Sequence, residues 1–587
     1  MNSFEGMCNE AVKRFIKTVA IIDDEATYDP GLPSQNDKDK TTQVPMNGLM
    51  MGEQPVESSV SGVDETADDT QKDCDTPSQL DAKTVINAFA DLGIACCIQR
   101  PEGEDHPVNR AARLAASVDV LIIDWILDTD NKLLSRDIIK KILEDDKKAG
   151  NRMRLIIVYT SHIYISEMLA DIKQVADEVY ADDPLKGKRE LIINGRFLKN
   201  DWIRIVILNK KIINSLPPEA QIVPFDKLPE TIISESSKMM KGIIPGATLH
   251  GIAAIRENTH KLLSILNSDL DGAYCLHRAL ISEPSDSVDF AMNLVTNEID
   301  TIIKTDASAR NIVDEKGLKA WLKQHAGNRN KIPCFGSSIS VKIIEQCILN
   351  GLLSDNTYVK SVVKDNFKSY LPKDDAGKTL TCPSPDNIQK NFGEALYSTK
   401  EDAINGCKEL SNLQCTAMDI GRRLYDGKSQ NPTLHLGTIL KKGNGDSSEW
   451  FLCLTPLCDS VRLNEESNFL FLQLYPEANG KVDIIIRNQD GTFEPLIFKK
   501  DTKIKVVTIP FSPKDGSKKI EAHRWRKEWR IKSKKNKSKD NISYQWVGEL
   551  RYPKAIGVAH YVATQNSRIG IDEFEWLRLK ATLKSQT

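Results

Sequence analysis

Apolar runs alternate with amphipathic segments in the first third of the chain. Five runs rich in Ile and Val predict buried strands, at residues 18–22, 94–99, 118–124, 154–160 and 202–210. Apolar residues at three- and four-residue spacing predict helices between them, for example at 80–93, 135–148 and 166–176. Strands that alternate with helices predict a doubly wound α/β domain, with a parallel sheet covered on both faces.

One long segment inside this domain breaks the pattern. Residues 27–79, approximately, are rich in Asp, Ser, Thr, Pro, Gln and Gly and have almost no periodic apolar positions. Such a composition cannot bury enough apolar surface to offset the entropy lost on folding. We therefore expect a flexible acidic insertion, and a solvated linker is favoured over a functional lid.

The rest of the chain changes character twice. Helical spacing dominates residues 216–375, and residues 376–432 form a mixed connector. Residues 433–587 contain short apolar runs punctuated by Gly, Asn and Asp, which predict a β-rich barrel or sandwich closed by a C-terminal helix. The fold class expected is therefore multidomain, with a first domain at 1–215, a helical middle and a β-rich C-terminal module.

Bulk composition changes this picture little. The 587 residues carry a formal net charge of −3, which points to neither nucleic acid nor membrane as a partner of the whole protein. The twelve cysteines include no CxxC pair, so we expect free thiols in a reducing compartment rather than a zinc site. The first residues lack the apolar core of a secretory signal, and no stretch has 18 uninterrupted apolar residues. We expect a cytoplasmic protein that makes no use of a membrane.

Chemically distinct residues follow four of the predicted strands. Asp23 and Asp24 follow the first strand, and Asp124, Thr160 and Lys210 end three later ones. The carboxyl ends of parallel strands meet at one edge of a sheet, where ligands bind in open α/β folds. Carboxylates at that edge can share Mg2+, and an Asp can accept a phosphoryl group whose oxygens a Lys and a Thr then hold.

This order of residues resembles the receiver domain of response regulators, over roughly residues 15–215. The resemblance implies a flavodoxin-like fold, a Mg2+ cofactor, and no enzymatic activity beyond receiver-type self-phosphorylation and dephosphorylation. It implies these roles: metal binding by Asp23, Asp24, Asp124 and the backbone carbonyl of Ile126, phosphoryl acceptance by Asp124, a switch hydroxyl on Thr160 and a phosphate-sensing ammonium on Lys210.

Three lysines are candidates for the phosphate-sensing ammonium. The stretch between Thr160 and Lys210 is longer than in most receivers, and Lys211 stands where receivers usually have Pro. Lys211 and Lys199 therefore remain alternatives to Lys210.

Weaker similarities suggest the system in which the protein works. Segments 255–263, 450–463 and 567–579 are similar to those of multidomain bacterial receiver proteins from conflict or antiphage loci. That resemblance implies a histidine-kinase-like or related ATPase as partner. The preferred hypothesis is a phosphorylation-responsive regulator of a two-component-like system, for which the resemblance suggests antiphage defence as the setting. The alternative is a scaffold with an inert receiver.

A third hypothesis rests on one basic stretch, at residues 514–539. It interleaves tryptophans with arginines, a mixture suited to phosphate contact and base stacking. The residues in question are Arg524, Trp525, Arg526, Trp529 and Arg530. In this hypothesis the C-terminal module is a nucleic-acid-binding effector; a solvated basic loop with buried tryptophans is the plain alternative.

Overall fold

The structure is a computed structural model of the chain. It describes residues 3–28, 79–101, 106–127, 133–149, 152–182, 190–210, 221–281, 284, 286–334, 337–351, 392–397, 399–419, 431–443, 445–477, 482–488, 490–500, 503–514, 517–526, 528–534 and 541–566. The predicted acidic insertion and the predicted C-terminal helix at 570–583 lie almost wholly outside these residues.

The N-terminal part is built on a seven-stranded sheet. Its strand order is β2-β1-β3-β4-β7-β6-β5, in which the first five strands are parallel and the last two form an antiparallel hairpin at the edge. The strands are β1 Thr18–Ile22, β2 Ala95–Gln99, β3 Val120–Ile123, β4 Arg154–Thr160, β5 Ile192–Asn194, β6 Phe197–Lys199 and β7 Ile203–Asn209.

Helices cover both faces of this sheet. One face carries α3 Pro107–Ser117, α4 Leu134–Lys148 and α5 Ile165–Tyr180; the other carries α1 Phe4–Phe15, α2 Ala82–Asp91 and α6 Leu228–Met239. Because side chains alternate along a strand, neighbours such as Ile21 and Ile22 enter opposite cores. This explains why the central strands are apolar on both faces over most of their length. The expected doubly wound, flavodoxin-like fold is confirmed.

The core on the second face extends beyond residue 215, the expected end of the first domain. Leu228, Ile232 and Ile233 of α6 are buried in it together with Leu249 of the next helix. A buried ion pair adds to this contact, because Arg204 of β7 donates to Glu235 of α6 at 2.6 Å. Helix α6 therefore packs on the sheet and shares its hydrophobic core.

The middle of the chain is helical, as expected, with one interruption. Its helices are α7 Ile243–Ile265, α8 Asp271–Leu280, α9 Asp286–Thr305, α10 Ala307–Val313, α11 Glu315–Ala326 and α12 Val341–Asn350. A small hairpin of β8 Lys331–Cys334 and β9 Ser337–Ser340 separates the last two helices. The periodicity of the sequence had not indicated this hairpin.

The C-terminal part forms one ten-stranded antiparallel sheet with hydrophobic clusters on both faces. Its main strand order is β14-β15-β13-β12-β11-β21-β20-β19, with β10 paired to β21 and β18 to β13. Helix α13 Lys400–Cys415 leads into the sheet, and α15 Tyr552–Asn566 packs on one face. The predicted β-rich module is confirmed. The helix α15 was not predicted from the sequence.

The elements of this part are β10 Thr416–Asp419, β11 Thr438–Lys442, β12 Glu449–Cys453, the short helix α14 Leu457–Ser460, β13 Ser467–Pro476, β14 Ile484–Arg487, β15 Phe493–Ile497, β16 Lys499–Lys500, β17 Lys503–Ile504, β18 Val506–Phe511, β19 His523–Trp525, β20 Glu528–Lys534 and β21 Asn541–Leu550. Within the described part of the chain, no helix combines the length and apolar character needed to cross a bilayer.

Candidate functional site

Three carboxylates meet at the carboxyl edge of the parallel sheet. Asp23 and Asp24 directly follow β1, and Asp124 directly follows β3. These two strands are neighbours, and the Asp124 N–H donates to the carbonyl of Ile22 at 2.9 Å. One carboxylate oxygen of each Asp lies within 4.8 Å of the others. The structure therefore brings together the three acidic residues that the sequence singled out.

Lys210 reaches this cluster from the end of β7. Its Nζ donates to Asp23 Oδ2 at 2.6 Å and also to Asp124 Oδ2. The residue is 7% exposed, and its backbone N–H donates to the carbonyl of Thr160 at 3.1 Å. The alternative Lys199 is exposed on the edge strand β6, and Lys211 lies outside the described residues. Of the two described candidates, the structure places Lys210 at the carboxylates.

Burial shifts the pKa values of the charged groups in this cluster. Burial raises the pKa of Asp24 to about 6, and the charges of Asp124 and Asp23 act in the same direction. Burial also raises the pKa of Asp23, although Lys210 opposes it. For Lys210 burial alone would lower the pKa, but the charges of Asp124 and Asp23 outweigh it and raise it.

The residues fit a divalent cation. Asp24 Oδ1 is buried and has no hydrogen-bond partner among the described residues. One ammonium beside three carboxylates leaves a local charge of −2 when all are ionised, which is the charge that Mg2+ would neutralise. An all-oxygen donor set is also the one that Mg2+ prefers.

Thr160 ends β4 and is completely buried. Its hydroxyl accepts a hydrogen bond from the His162 N–H at 3.2 Å, so it is held by the turn that follows the strand. Asn209 of β7 donates from Nδ2 to the carbonyl of His162 at 3.1 Å. The turn after β4 is thereby tied to the strand that ends in Lys210.

The loop after β3 is held by its own hydrogen bonds. The Ile126 N–H donates to Asp124 Oδ1 at 3.3 Å. The buried Ser135 hydroxyl makes contacts of 2.9 and 2.7 Å with the carbonyls of Asp124 and Trp125. Trp125 packs against the core formed with α3, α4 and α5.

Two residues of this site were missed by sequence reasoning. Ser135 had been noticed only as the start of a predicted helix, and Asn209 only as part of a strand. Neither position has a local signal for its role, because the carbonyls that each contacts belong to other segments of the chain.

Within the described part of the basic stretch, residues 523–525 and 528–534 form the paired strands β19 and β20 of the C-terminal sheet. Arg524 and Arg526 are exposed, and Trp525 is 57% exposed. Trp529 packs partly against the core, whereas Arg530 donates to Glu528 at 2.7 Å. Of the two tryptophans, only Trp529 turns toward the core as the plain alternative expected.

Comparison with protein families matches residues 15–211 to the response receiver domain. No curated protein and no solved structure matches the chain. Receiver domains respond to phosphorylation in signal transduction and work with a kinase partner, and they typically bind Mg2+ at an acidic cluster. With the strand order and the acidic edge described above, this match means that residues 15–211, about a third of the chain, belong to the response receiver domain family.

Proposed function

We propose that the chain is a phosphorylation-responsive regulator that accepts a phosphoryl group on Asp124. The observation that carries this proposal is the ammonium of Lys210 shared between Asp23 and Asp124, at the edge where the three carboxylates meet. Burying a Lys between two buried Asp residues carries a large desolvation penalty, and buried charges of this kind are concentrated at functional sites.

Asp23, Asp24, Asp124 and the carbonyl of Ile126 would hold the metal. Mg2+ would supply charge neutralisation for the carboxylates and for the incoming phosphoryl oxygens. The chain's own contribution is to fix the carboxylates on the ends of two rigid neighbouring strands, which removes the entropic cost of assembling them. The Ser135 hydroxyl supports this by holding the loop after β3.

In the proposed reaction an oxygen of the Asp124 carboxylate attacks the phosphorus of a phosphodonor. The new oxygen–phosphorus bond forms as the bond to the leaving group breaks, and the leaving group takes that electron pair. Lys210 already contacts the carboxylate and is placed to hold a phosphoryl oxygen. Because Asp124 is only 5% exposed, the donor has to reach a carboxylate that is largely buried.

The readout would begin at Thr160. A hydroxyl that turned toward a phosphoryl group on Asp124 would give up its hydrogen bond from His162. His162 in turn stacks edge-on against the exposed Tyr164 at 5.3 Å between ring centroids. The turn at 161–164 is therefore the surface that we propose a partner reads when phosphorylation adds about −2 of charge.

A melting experiment tests this function. Fluoroberyllate with Mg2+, a stable mimic of a phosphoryl group, should raise the melting temperature of the wild type and leave Asp124→Asn unchanged. Asp177→Asn is the matched control, because Asp177 is exposed on α5. A wild type that shows no shift with either Mg2+ or fluoroberyllate would favour the alternative, an inert receiver that acts as a scaffold.

We propose that the partner is a kinase-like ATPase and that the biological setting is antiphage defence. A kinase partner follows from the receiver domain in general. A histidine-kinase-like ATPase and a role in antiphage defence rest on the sequence resemblance alone. Co-purification with the product of a neighbouring ATPase gene would test the partner.

A second candidate function is single-stranded nucleic-acid binding by the hairpin of β19 and β20. The exposed Trp525 between exposed Arg524 and Arg526 favours it, because a base can stack on the ring while phosphates meet the arginines. Burial together with Lys532, Lys514 and Arg530 lowers the pKa of His523, which indicates a positive potential at this edge.

Salt-dependent binding of an RNA or DNA oligonucleotide tests this candidate. Trp525→Ala and Arg524→Glu should each weaken binding about tenfold or more, whereas Arg110→Ala on α3 should not. Equal affinity of all variants would exclude the hairpin as the binding site.

A further inference from the structure

A cleft of about 490 Å³ lies between the neighbouring helices α3 and α4 of the receiver domain. Its lining also includes Arg152 and Arg154, at the start of β4. Because the acidic cluster lies where the parallel strands end, this part of the cleft is at the opposite edge of the sheet. Small-molecule sites have volumes of roughly 300–1,000 Å³. The cleft is therefore large enough for an organic ligand and is separate from the site at Asp124.

Part of the lining is apolar and buried. Ala112 of α3 and Ile142 of α4 are 8% and 2% exposed. Ala116, one helical turn after Ala112, and Ala149, at the end of α4, also line the cleft. Three of these four side chains are single methyl groups, so the two helices leave space between them. Such a surface suits the carbon skeleton of an organic molecule better than a bare inorganic ion.

Ion pairs within the chain neutralise both carboxylates of the lining. Asp146 accepts hydrogen bonds from Nε and Nη2 of the buried Arg154 at 2.5 and 2.7 Å. Asp145 accepts from Nζ of Lys141 at 2.7 Å and lies 3.7 Å from Nζ of Lys148. Neither carboxylate therefore needs a cation from outside the chain.

Two arginines of the lining form no ion pair with another described residue. Arg152 is half-buried, and its Nη2 donates to the carbonyl of Ala116 at 2.7 Å. Arg113 is exposed on α3 beside the cleft. Burial and the charge of the nearby Arg154 lower the pKa of Arg152, against two carboxylates that oppose this shift. The cleft therefore has a positive potential around a cation that is partly withdrawn from water.

We propose that this cleft binds a small organic phosphate, with the phosphate group at Arg113 and Arg152. Four cations and two carboxylates line the cleft, which leaves a net charge of +2 when His106 is neutral. A phosphomonoester carries about −1.5 to −2 at neutral pH and offers three acceptor oxygens, whereas a single carboxylate carries only one negative charge. Arginine matches such a group because its planar set of N–H donors can bind two oxygens at once.

Titration calorimetry of the full chain, in a chelator and at low salt, tests the proposal. The probes are adenosine monophosphate and glucose 6-phosphate, which should both bind, and adenosine and glucose, which should not. Arg113→Gln and Arg152→Gln should each raise the dissociation constant of both phosphates about tenfold or more, because each removes a charge-assisted hydrogen bond. Arg110→Gln is the matched control: Arg110 is exposed on the same helix but does not line the cleft, so the affinity should stay unchanged.

Two further variants separate the cleft from the other candidate sites of the chain. Asp124→Asn changes the receiver site, and Trp525→Ala changes the hairpin of β19 and β20, where an adenine could stack. Both variants should bind the two phosphates as the wild type does. Loss of binding in either one would place the phosphate at that site and overturn the proposal.

Absence of binding at millimolar concentrations of both phosphates would overturn the proposal, as would unchanged affinity in Arg113→Gln and Arg152→Gln. Binding that appears only in the triple variant Glu102→Gln, Glu104→Gln and Asp105→Asn would mean that this acidic segment before α3 occupies the cleft, and would also overturn it. Melting curves check that the variants fold. Because Arg113 is exposed, Arg113→Gln should fold normally and keeps the test decisive if Arg152→Gln is destabilised.

Discussion

At the scale of residues, the site is a problem of charge balance. Asp23, Asp124 and Lys210 are 1%, 5% and 7% exposed, so water does little to stabilise their charges. The ammonium compensates two carboxylates and leaves Asp24 without a cation. Lys210 therefore stabilises this arrangement, and Asp24 is the carboxylate at which we propose that a further cation binds.

Replacing Lys210 by Met should therefore destabilise the protein without metal. Two buried carboxylates lose their cation, and removal of one partner from a buried pair costs about 3 kcal/mol or more. Lys199→Met, at the exposed lysine on β6, should change the free energy of unfolding by less than about 0.5 kcal/mol. Urea unfolding in a chelator measures both variants. Equal losses would mean that Lys210 is not the ion-pair partner.

Replacing Asp24 by Asn should have the opposite effect on stability. The change removes a carboxylate whose pKa is raised to about 6 by burial and by its acidic neighbours. After allowance for the partial exposure of Asp24, the metal-free protein should gain about 1 kcal/mol. Its Mg2+ affinity, measured by titration calorimetry, should fall about tenfold or more. A variant that binds Mg2+ as well as the wild type would remove Asp24 from the metal site.

At the scale of elements, the sequence predicted best the strands and helices that are set by a local pattern of apolar residues. The runs at 18–22 and 154–160 are apolar at every position between residues 19 and 22 and between residues 155 and 159, because both faces of the sheet are covered, so the pattern predicts them directly. The helix α15 was missed because it follows a series of strands and its polar and apolar residues are weakly segregated. The sequence left Lys199 open as an alternative to Lys210. No local pattern shows that the strand ending before Lys210 joins the parallel sheet, whereas the strand with Lys199 pairs antiparallel at its edge.

The contact of α6 with the sheet depends on a buried carboxylate. Glu235 is 1% exposed and pairs with Arg204, Arg196 and Lys238. Burial alone would raise the pKa of Glu235, but Lys238 and Arg204 outweigh it and lower it. Glu235→Gln should lower the free energy of unfolding by about 3 kcal/mol, because Arg204 is left buried with no anionic partner.

Glu230→Gln is the control for this prediction. Glu230 also lies on α6, but it is exposed, and among the described residues its ion-pair partner is Lys227 at 3.7 Å, so the loss on substitution should be within about 0.5 kcal/mol. Denaturant unfolding compares the two variants. A similar small effect for both would show that α6 is not anchored by Glu235.

One ion pair makes the C-terminal sheet sensitive to pH. His435 lies 3.4 Å from Glu549 through Nε2, and its Nδ1 lies 3.0 Å from the carbonyl of Leu436. Both nitrogens can donate only in the protonated ring. Burial alone would lower the pKa of His435, but the hydrogen bond and charge of Glu549 raise it.

The sign of the pH dependence follows from this shift. The stabilisation by protonated His435 is fully present below its unfolded pKa of about 6.5 and is lost as the pH rises through the higher folded value. Melting temperatures between about pH 6 and about pH 8 should therefore fall more steeply for the wild type than for Glu549→Gln. Parallel pH profiles would contradict a charged His435.

At the scale of the whole molecule, ion pairs fix α7 to the opposite end of the sheet from the acidic cluster. Asp119, just before β3, accepts hydrogen bonds from Arg256 of α7 at 2.8 Å and from the Lys17 N–H at 2.9 Å. Arg14 of α1 bridges Glu257 and Asp306, which belong to the helical middle. No sequence pattern predicted these contacts, since Arg14 and Asp306 are 292 positions apart.

The residues of the functional site are also far apart in the sequence, but the parallel sheet made their meeting predictable. Lys210 and Asp23 are 187 positions apart, and they meet because parallel strands end at one edge. The residues at strand ends were predictable for this reason. Ser135 and Asn209 were not, because their partners are carbonyls in turns.

Phosphoryl acceptance by Asp124 is tested most directly by locating the modified residue. The protein is incubated with Mg2+ and acetyl phosphate, treated with borohydride to convert an aspartyl phosphate to homoserine, and mapped by mass spectrometry. We expect homoserine at position 124 in the wild type and in Asp177→Asn, and none in Asp124→Asn. Homoserine at another Asp, or at none, in a folded wild type that binds Mg2+ would contradict it.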